Sequence, residues 1–141
     1  MENCIFCRIA AGHAPCFKLA ENQFAFAFLD IQPAAEGHSL VIPKAHFENV
    51  YEIGAADMAG VGELVRQLAP VVREVIRPDG MMITQANGPA AGQSVMHFHT
   101  HLIPRHEGQR LRMHGDQAGD PKRLAALREQ IVGLVEGSSS R

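Results

Sequence analysis

Three histidines alternate with other residues within the stretch His97 to Pro104. In an extended strand alternate side chains share a face, so the three imidazoles would follow one face at roughly 6.6 Å spacing. Met96, Phe98 and Leu102 would then point to the opposite face, into a core. Imidazole titrates near neutral pH, binds metals and can act as nucleophile, acid or base. The stretch therefore indicates a chemical site, the alternative being a solvent-facing strand that happens to be rich in histidine.

A histidine nucleophile accounts for more of the surrounding residues than two other readings do. A serine hydrolase is disfavoured because Gly92 to Met96 lacks the second glycine of a nucleophile elbow. A His-x-His metalloenzyme would need a further carboxylate or histidine and an open coordination position. An imidazole that attacks phosphorus needs a neighbour that fixes its tautomer, donors for the phosphoryl oxygens and a proton source. Asn87, the loop amides of residues 92–94, the Ser94 hydroxyl and His101 could supply these parts.

A CxxC pair, Cys4 and Cys7, stands near the beginning of the sequence. A redox dithiol of this type should follow a strand and open a helix, and no strand-like segment precedes the pair. A tetrahedral zinc site needs two further ligands, which histidines could supply. Zinc binding is therefore the leading interpretation and two ordinary cysteines the second, while Cys16 is interpreted as a small core residue.

Hydrophobic periodicity predicts the elements that position these residues. Helices are expected at Phe6–Ala11, at Asp57–Arg77 with a kink at Pro70, and from Pro121 onward; strands are expected at Gln23–Leu29, His38–Ile42, Met81–Gln85 and Val95–Ile103. His106 and His114 lie in a polar segment and are interpreted as surface histidines. Short loops between the strands favour an α+β fold with an antiparallel sheet. We expect a single domain over residues 1–136 and a flexible tail over 137–141.

Composition excludes several functional classes. The 141-residue length favours one domain, and the formal net charge of -2 offers no attraction to a nucleic-acid backbone. No apolar run reaches membrane-spanning length, and the first residues lack a secretory pattern. Three cysteines without a stapling pattern are typical of a reducing compartment. We therefore expect a cytoplasmic protein that binds neither nucleic acid nor membrane.

Several segments together resemble one family. Gly92 to Pro104 resembles the His-x-His-x-His signature of the histidine triad (HIT) proteins. Cys4 to Ile9 resembles the family's N-terminal segment, Phe28 to Ile31 its ribose-contacting segment, and Leu40 to His46 its central strand and following turn. The match covers roughly residues 3–104 and is most similar to the Hint branch of nucleoside phosphoramidases, in its zinc-containing bacterial form.

The resemblance implies a fold, an assembly and a reaction. The fold would be the α+β HIT fold, a five-stranded antiparallel sheet with flanking helices, assembled as a homodimer. His99 would attack the α-phosphorus of a purine nucleoside phosphoramidate or acyl-nucleotide, and water would hydrolyse the nucleotidyl-histidine to AMP or GMP. Ser94 would help to protonate the leaving group, and His101 and Gln93 would contact phosphate oxygens. No organic cofactor is implied.

The resemblance also implies binding residues. Asp30 would accept hydrogen bonds from the ribose hydroxyls. Substrate contacts are further expected from Asn87, Gly92 and Val95, and an apolar base pocket from Ile5, Phe6, Ile9, Phe28, Leu29 and Ile31. Zinc-containing relatives pair two cysteines with two histidines, which correspond here to Cys4, Cys7, His46 and His97. Such a Cys₂His₂ set has no open position, so the zinc would be structural.

Other functions fit the same resemblance. A dinucleoside polyphosphate hydrolase is one, and a nucleotide- or partner-binding module whose hydrolysis is incidental is another. His101 disfavours the transferase branch, which resembles His-x-His-x-Gln at the third triad position. The segment after Pro104 departs from the eukaryotic members, whose C-terminus contributes to substrate specificity.

Overall fold

A computed structural model describes residues 3–139 of the chain. Three helices and five strands make up the fold: α1 (Ile5–Ala10), β1 (Lys18–Glu21), β2 (Ala25–Leu29), β3 (Ser39–Pro43), α2 (Ala55–Ile76), β4 (Gly80–Gln85), β5 (Thr100–Arg105) and α3 (Pro121–Ser139). The predicted α+β class with a five-stranded antiparallel sheet and flanking helices is confirmed.

The strand order β1-β2-β3-β5-β4 places the histidine-bearing strand inside the sheet. Each neighbouring pair is antiparallel, and β5 lies between β3 and β4. Because Leu40 of β3 is paired with His101 of β5, the segment before Leu40 is brought beside the histidine triad. This register assembles the site from segments that are far apart in sequence.

Strand β2 is buried on both faces, whereas its sequence pattern predicts only one face in a core. Phe26 and Phe28 pack with Phe6 and Ile9 of α1. Ala25, Ala27 and Leu29 belong to the larger core under α2 and α3. The alternation of phenylalanine with small residues thus separates a site face, covered by α1, from a helix face.

Helix α2 packs on the helix face through an apolar stripe that includes Val61, Leu64, Leu68 and Val72. It continues through Pro70 to Ile76. Gly60 lies where α2 crosses the β1–β2 hairpin, and a Cβ there would be 2.6 Å from the Cβ of Phe24. The close approach of α2 to the hairpin therefore requires glycine. The side-chain amide of Asn22 holds the two elements together by donating to the Gly60 carbonyl at 2.9 Å.

Four predicted features differ from the structure. Strand β5 begins at Thr100 rather than Val95, because the backbone bends at residues 95–97 and the Phe98 amide donates to the Phe47 carbonyl outside the sheet. Met96 is exposed rather than in the core. Strand β1 has only Leu19 buried, which is too short a pattern to be recognised.

The fourth difference concerns the predicted tail. Helix α3 continues past Gly137 to Ser139, so part of the expected tail is helical. Residues 140 and 141 lie outside the described residues. No helix within residues 3–139 combines the length and apolar character needed to cross a membrane.

Candidate functional site

All three histidines of the triad are buried on the site face. His97, His99 and His101 are 0%, 4% and 3% exposed, while the intervening Phe98 belongs to the core on the helix face. The rings of His99 and His101 are 4.8 Å apart, and Phe6 of α1 meets the His99 ring edge-on at 5.2 Å. The sharing of one face is therefore confirmed, although only His101 lies within β5.

The tautomer of His99 follows from its hydrogen bond. Its Nδ1 lies 2.7 Å from the main-chain carbonyl of His97, so Nδ1 carries the proton and donates. The lone pair of neutral His99 is then on Nε2. Burial lowers the pKa of His99, which favours this neutral form at neutral pH. The ring thus offers an uncharged nitrogen lone pair, which a nucleophile requires.

His101 is oriented by a fourth histidine, His38, at the end of the loop before β3. The His38 Nδ1 accepts from the Ala34 amide at 2.9 Å, which leaves the His38 proton on Nε2. That Nε2 lies 2.9 Å from Nδ1 of His101 and donates to it. His101 therefore carries its own proton on Nε2, where it can donate to a ligand.

Burial keeps this histidine pair uncharged. Burial, together with a smaller effect of the neighbouring imidazoles, lowers the pKa of His38 to about 3 and that of His101 to about 4. Two adjacent imidazolium ions would repel each other in a site with little water. The series of hydrogen bonds from Ala34 through His38 to His101, with both imidazoles neutral, is therefore the stable arrangement at neutral pH.

A cavity of about 430 Å³ opens in front of His99 and His101. This volume falls within the range of ~300–1,000 Å³ that is common for small-molecule sites. All six apolar residues predicted for a base pocket line it: Ile5, Phe6, Ile9, Phe28, Leu29 and Ile31. Val95 also lines it, as predicted, while Ala14, Pro15, Cys16 and Leu40 were not predicted.

Asp30 lies on the wall of this cavity, immediately after β2. One carboxylate oxygen accepts from the Gln32 amide at 2.8 Å, and the other is 3.5 Å from Nε2 of His38. Burial raises the pKa of Asp30. Since these two contacts use only part of the carboxylate's acceptor sites, Asp30 can still accept hydrogen bonds from a ligand in the cavity.

Only some residues of the small-residue loop before the triad line the cavity. Ser94 lines it, and its hydroxyl makes no hydrogen bond within residues 3–139. Gln93 is 5% exposed and its side chain is engaged by the Gly88 amide and by the Glu48 and Val95 carbonyls. Gln93 therefore holds the loop together, and its predicted phosphate contact stays a prediction.

Gly92 and Asn87 do not line the cavity. Gly92 has a φ of +99°, a conformation that favours glycine, and its amide donates within the loop to the Pro89 carbonyl. The Asn87 side chain is engaged by Gln85 and by the Val50 amide. Both residues shape the loop, and their direct contact with substrate stays a prediction.

His114, interpreted from the sequence as a surface histidine, lines the cavity. Its ring is 5.6 Å from that of His101, and its Nε2 is 3.2 Å from the Gly92 carbonyl. The segment is held to the Asp30 loop by Gly115 and Gly119, whose amides donate to the Gln32 and Ile31 carbonyls. No local motif distinguishes His114, because only this long-range docking places it at the site.

Four potential metal ligands converge beside the triad, as predicted. The ligand atoms of Cys4, Cys7, His46 and His97 all lie within 4.8 Å of one another. Nδ1 of His97 is 3.3 Å from Sγ of Cys4, and Nδ1 of His46 is 3.3 Å from Sγ of Cys7. Sulfur and nitrogen ligands on a tetrahedral zinc lie roughly 3.5 Å apart, so the cluster has the right size.

The surroundings of the cluster also suit zinc. Nε2 of His97 donates to the Pro43 carbonyl at 2.8 Å, which directs the Nδ1 lone pair toward the thiols. Burial lowers the pKa of His97 to about 4, and a metal ligand must be neutral. Burial and the adjacent Cys4 raise the pKa of Cys7, a cost that a bound cation would remove.

Comparison with known proteins agrees with this architecture. Residues 11–108 match the HIT domain. Protein hit of Bacillus subtilis is 46% identical over 105 residues, covering 74% of this chain and 72% of that protein. The adenosine 5'-monophosphoramidase hnt1 of Schizosaccharomyces pombe is 43% identical over 140 residues, covering 95% of this chain and 99% of that protein.

A solved structure is similar over nearly the whole fold. The zinc-bound histidine triad family protein of Mycobacterium smegmatis superposes with a TM-score of 0.85 and 31% identity, covering 99% of this chain and 97% of that one. The sequence match and the structural match thus identify the same group of proteins. The chain belongs to the HIT domain family.

Proposed function

We propose that this protein hydrolyses the phosphoramidate or acyl-phosphate bond of purine nucleoside monophosphate derivatives through a nucleotidyl-His99 intermediate. The observation that carries the proposal is the Nδ1 hydrogen bond of the buried His99 to the His97 carbonyl, beside a cavity of nucleotide size. The similarity to an adenosine 5'-monophosphoramidase along almost its entire length supports the same reaction class.

The first step forms a phosphorus–nitrogen bond to the enzyme. Nε2 of His99 attacks the α-phosphorus while the bond from phosphorus to the amine or acyl oxygen breaks, and the leaving group takes the electron pair. His101, whose Nε2 proton is fixed by His38, donates a hydrogen bond to a phosphoryl oxygen. This donor stabilises the charge that develops on the phosphoryl group in the transition state.

Ser94 is the proposed proton donor to the leaving group. It lines the cavity, and its hydroxyl is available to bond the leaving nitrogen or oxygen. In the second step water attacks the nucleotidyl-histidine, and the bond to Nε2 breaks with its electron pair returning to Nε2. One proton of the water replaces the proton that Ser94 gives to the leaving group, and the other leaves with the nucleoside monophosphate, so His99 is restored as a neutral imidazole.

Substrate orientation comes from both ends of the cavity. Asp30 would accept from the ribose hydroxyls, and the apolar wall that includes Phe6 and Phe28 would hold the purine ring. Stacking and apolar contact suit any purine, so AMP and GMP derivatives are both expected substrates.

The Cys₂His₂ cluster would hold a structural zinc. When bound, the ion supplies a cross-link among α1, the turn after β3 and the triad segment. Its four protein ligands leave no position for substrate. His97 contributes its ring to this cluster and its main-chain carbonyl to the His99 hydrogen bond, so a bound zinc would brace the chain beside the nucleophile without touching it. A homodimer remains a prediction, which sedimentation equilibrium can test.

Hydrolysis of adenosine 5'-phosphoramidate by the wild type and by His99→Ala tests the nucleophile. We expect wild-type turnover and a loss of at least about 10³-fold in kcat for the variant, because the alanine variant lacks the imidazole that forms the covalent intermediate. A denaturing quench of the wild type with labelled substrate should trap the nucleotide on the protein. His13→Ala is the matched control, since His13 is exposed and lies outside the cavity.

Two outcomes contradict the proposal. Unchanged turnover in His99→Ala would exclude His99 as nucleophile. Tight nucleotide binding without wild-type turnover of phosphoramidate or acyl-nucleotide would identify a binding module instead.

A further inference from the structure

A second cleft, of about 420 Å³, lies between the segment that follows β5 and the loop before β3. It is lined by Arg105, Arg110, Arg112, His106 and Gln109 on one side and by residues 34–36 on the other. It shares no lining residue with the cavity in front of His99. We call it the arginine cleft.

The charge of the arginine cleft is strongly positive in a chain whose formal net charge is -2. Glu36, its acidic lining residue, is neutralised by Arg123, which donates to both carboxylate oxygens at 2.6 and 3.1 Å. Arg112 is paired with the exposed Asp116 at 2.8 Å, outside the lining. Arg105 and Arg110 have no carboxylate partner within residues 3–139, so the cleft retains positive charge.

Arg105 is a partly satisfied donor in the wall of the cleft. Its Nε is buried and has no hydrogen-bond partner within residues 3–139. One terminal nitrogen donates to the Arg110 carbonyl, which ties the two arginines together. The guanidinium therefore keeps unused donor capacity, which an anion in the cleft can engage through the terminal nitrogens.

We propose that the arginine cleft is a binding site for a phosphoryl group, separate from the nucleotide cavity. Guanidinium groups bind phosphate oxygens through paired hydrogen bonds, and several guanidinium groups suit a dianion better than a single carboxylate. The opposite wall contains Ala34, whose amide donates to Nδ1 of His38. That amide is already used by His38, so the arginine side of the cleft would hold the anion.

Nuclear magnetic resonance can test the site with inorganic pyrophosphate as the probe, at constant ionic strength. We expect saturable shifts of the Arg105 Nε–H resonance and of the amides of residues 34–36 and 109–112. Arg110→Ala and Arg112→Ala should each raise the pyrophosphate Kd about tenfold, because each removes a charged hydrogen-bond donor. Both residues are exposed, so the variants should fold.

Arg66→Ala is the matched control, since Arg66 is an exposed, ion-paired arginine on α2 far from the cleft in sequence. Its pyrophosphate Kd should equal that of the wild type. Linear shifts without saturation, shifts confined to residues around His99, or an unchanged Kd in Arg110→Ala would each overturn the proposal.

Repeating the titration with saturating AMP tests whether the two sites are separate. Binding that persists beside AMP supports a separate site for a free phosphate or polyphosphate. Loss of the cleft shifts in the presence of AMP would show that the probe occupies the nucleotide cavity, and would overturn the proposal. Because the readout is binding without turnover, the result does not depend on whether His99 is the nucleophile.

Discussion

Hydrogen-bond direction decides the role of each histidine in this site. His99 donates from Nδ1, while His101 accepts at Nδ1. Nε2 of His99 therefore carries a lone pair, whereas Nε2 of His101 carries a proton. The triad spacing predicted that these residues act together. It could not predict His38, because that contact depends on the pairing of Leu40 with His101 between β3 and β5.

The buried His38 makes stability depend on pH. Its pKa falls from about 6.5 in the unfolded chain to about 3 in the fold, so the unfolded state binds the proton more readily. The wild-type free energy of unfolding should therefore be highest above pH 6.5 and fall as the pH drops toward 4. We expect His38→Gln to make this slope shallower by up to about 1.4 kcal/mol per pH unit.

Urea unfolding at pH 7, 6, 5 and 4 measures this slope. Zinc loss at low pH affects both proteins, so the difference between them isolates His38. His13→Gln, which removes an exposed histidine, should keep the wild-type slope. An identical slope in His38→Gln and wild type would contradict the assignment of a neutral, buried His38.

At the scale of elements, one loop-like segment completes the cavity. Residues 112–119 carry His114 to the cavity and dock on the loop after β2 through Gly115 and Gly119. Helical and strand periodicities predicted most elements but carry no information about such a segment, because its position depends on main-chain contacts with Gln32 and Ile31. The same limitation explains why β1, with one buried side chain, was missed.

Gly115→Ala should displace this segment. A Cβ at position 115 would lie 2.2 Å from the Pro33 carbonyl oxygen, and a backbone atom cannot easily move away. We expect a loss of about 1–3 kcal/mol in unfolding free energy and a several-fold drop in kcat/KM for adenosine 5'-phosphoramidate, because the cavity wall that contains His114 shifts. Thermal unfolding and steady-state kinetics measure the two effects.

Gly62→Ala is the control, since a Cβ at this α2 position meets nothing within 4 Å. It should be neutral or stabilising by up to about 1 kcal/mol, because alanine favours helix. Wild-type kinetics in Gly115→Ala would show that the segment does not position His114 for the reaction.

Over the whole molecule, the cysteine–histidine cluster joins the start of α1, which lies outside the sheet, to the segments after β3 and before β5. Cys4 and His97 are 93 positions apart, yet their ligand atoms are 3.3 Å from each other. The CxxC spacing predicted the two cysteine ligands, and the resemblance to zinc-containing relatives predicted the two histidine ligands. The arginine cleft was not predicted, because its two walls meet only in the folded chain.

Removal of one ligand tests the cluster. We expect Cys7→Ser to lose bound zinc, from about one equivalent per chain to less than about half, and to lower the Tm, because a structural zinc contributes its binding energy to folding. Elemental analysis and thermal unfolding measure both. Cys16→Ser is the matched control, since Cys16 is outside the cluster and should keep the metal. Equal zinc content in the two variants would contradict the assignment.

The contact that orients His99 uses the main-chain carbonyl of His97, an atom that every amino acid carries. The ring of His97 faces the cysteines, but the tautomer of His99 does not depend on that ring. A substitution at position 97 or at the cysteines can therefore leave the proton position on His99 unchanged. If the proposals for zinc and for His99 both hold, metal binding and catalysis are separable traits, and a lineage can lose the first without losing the second.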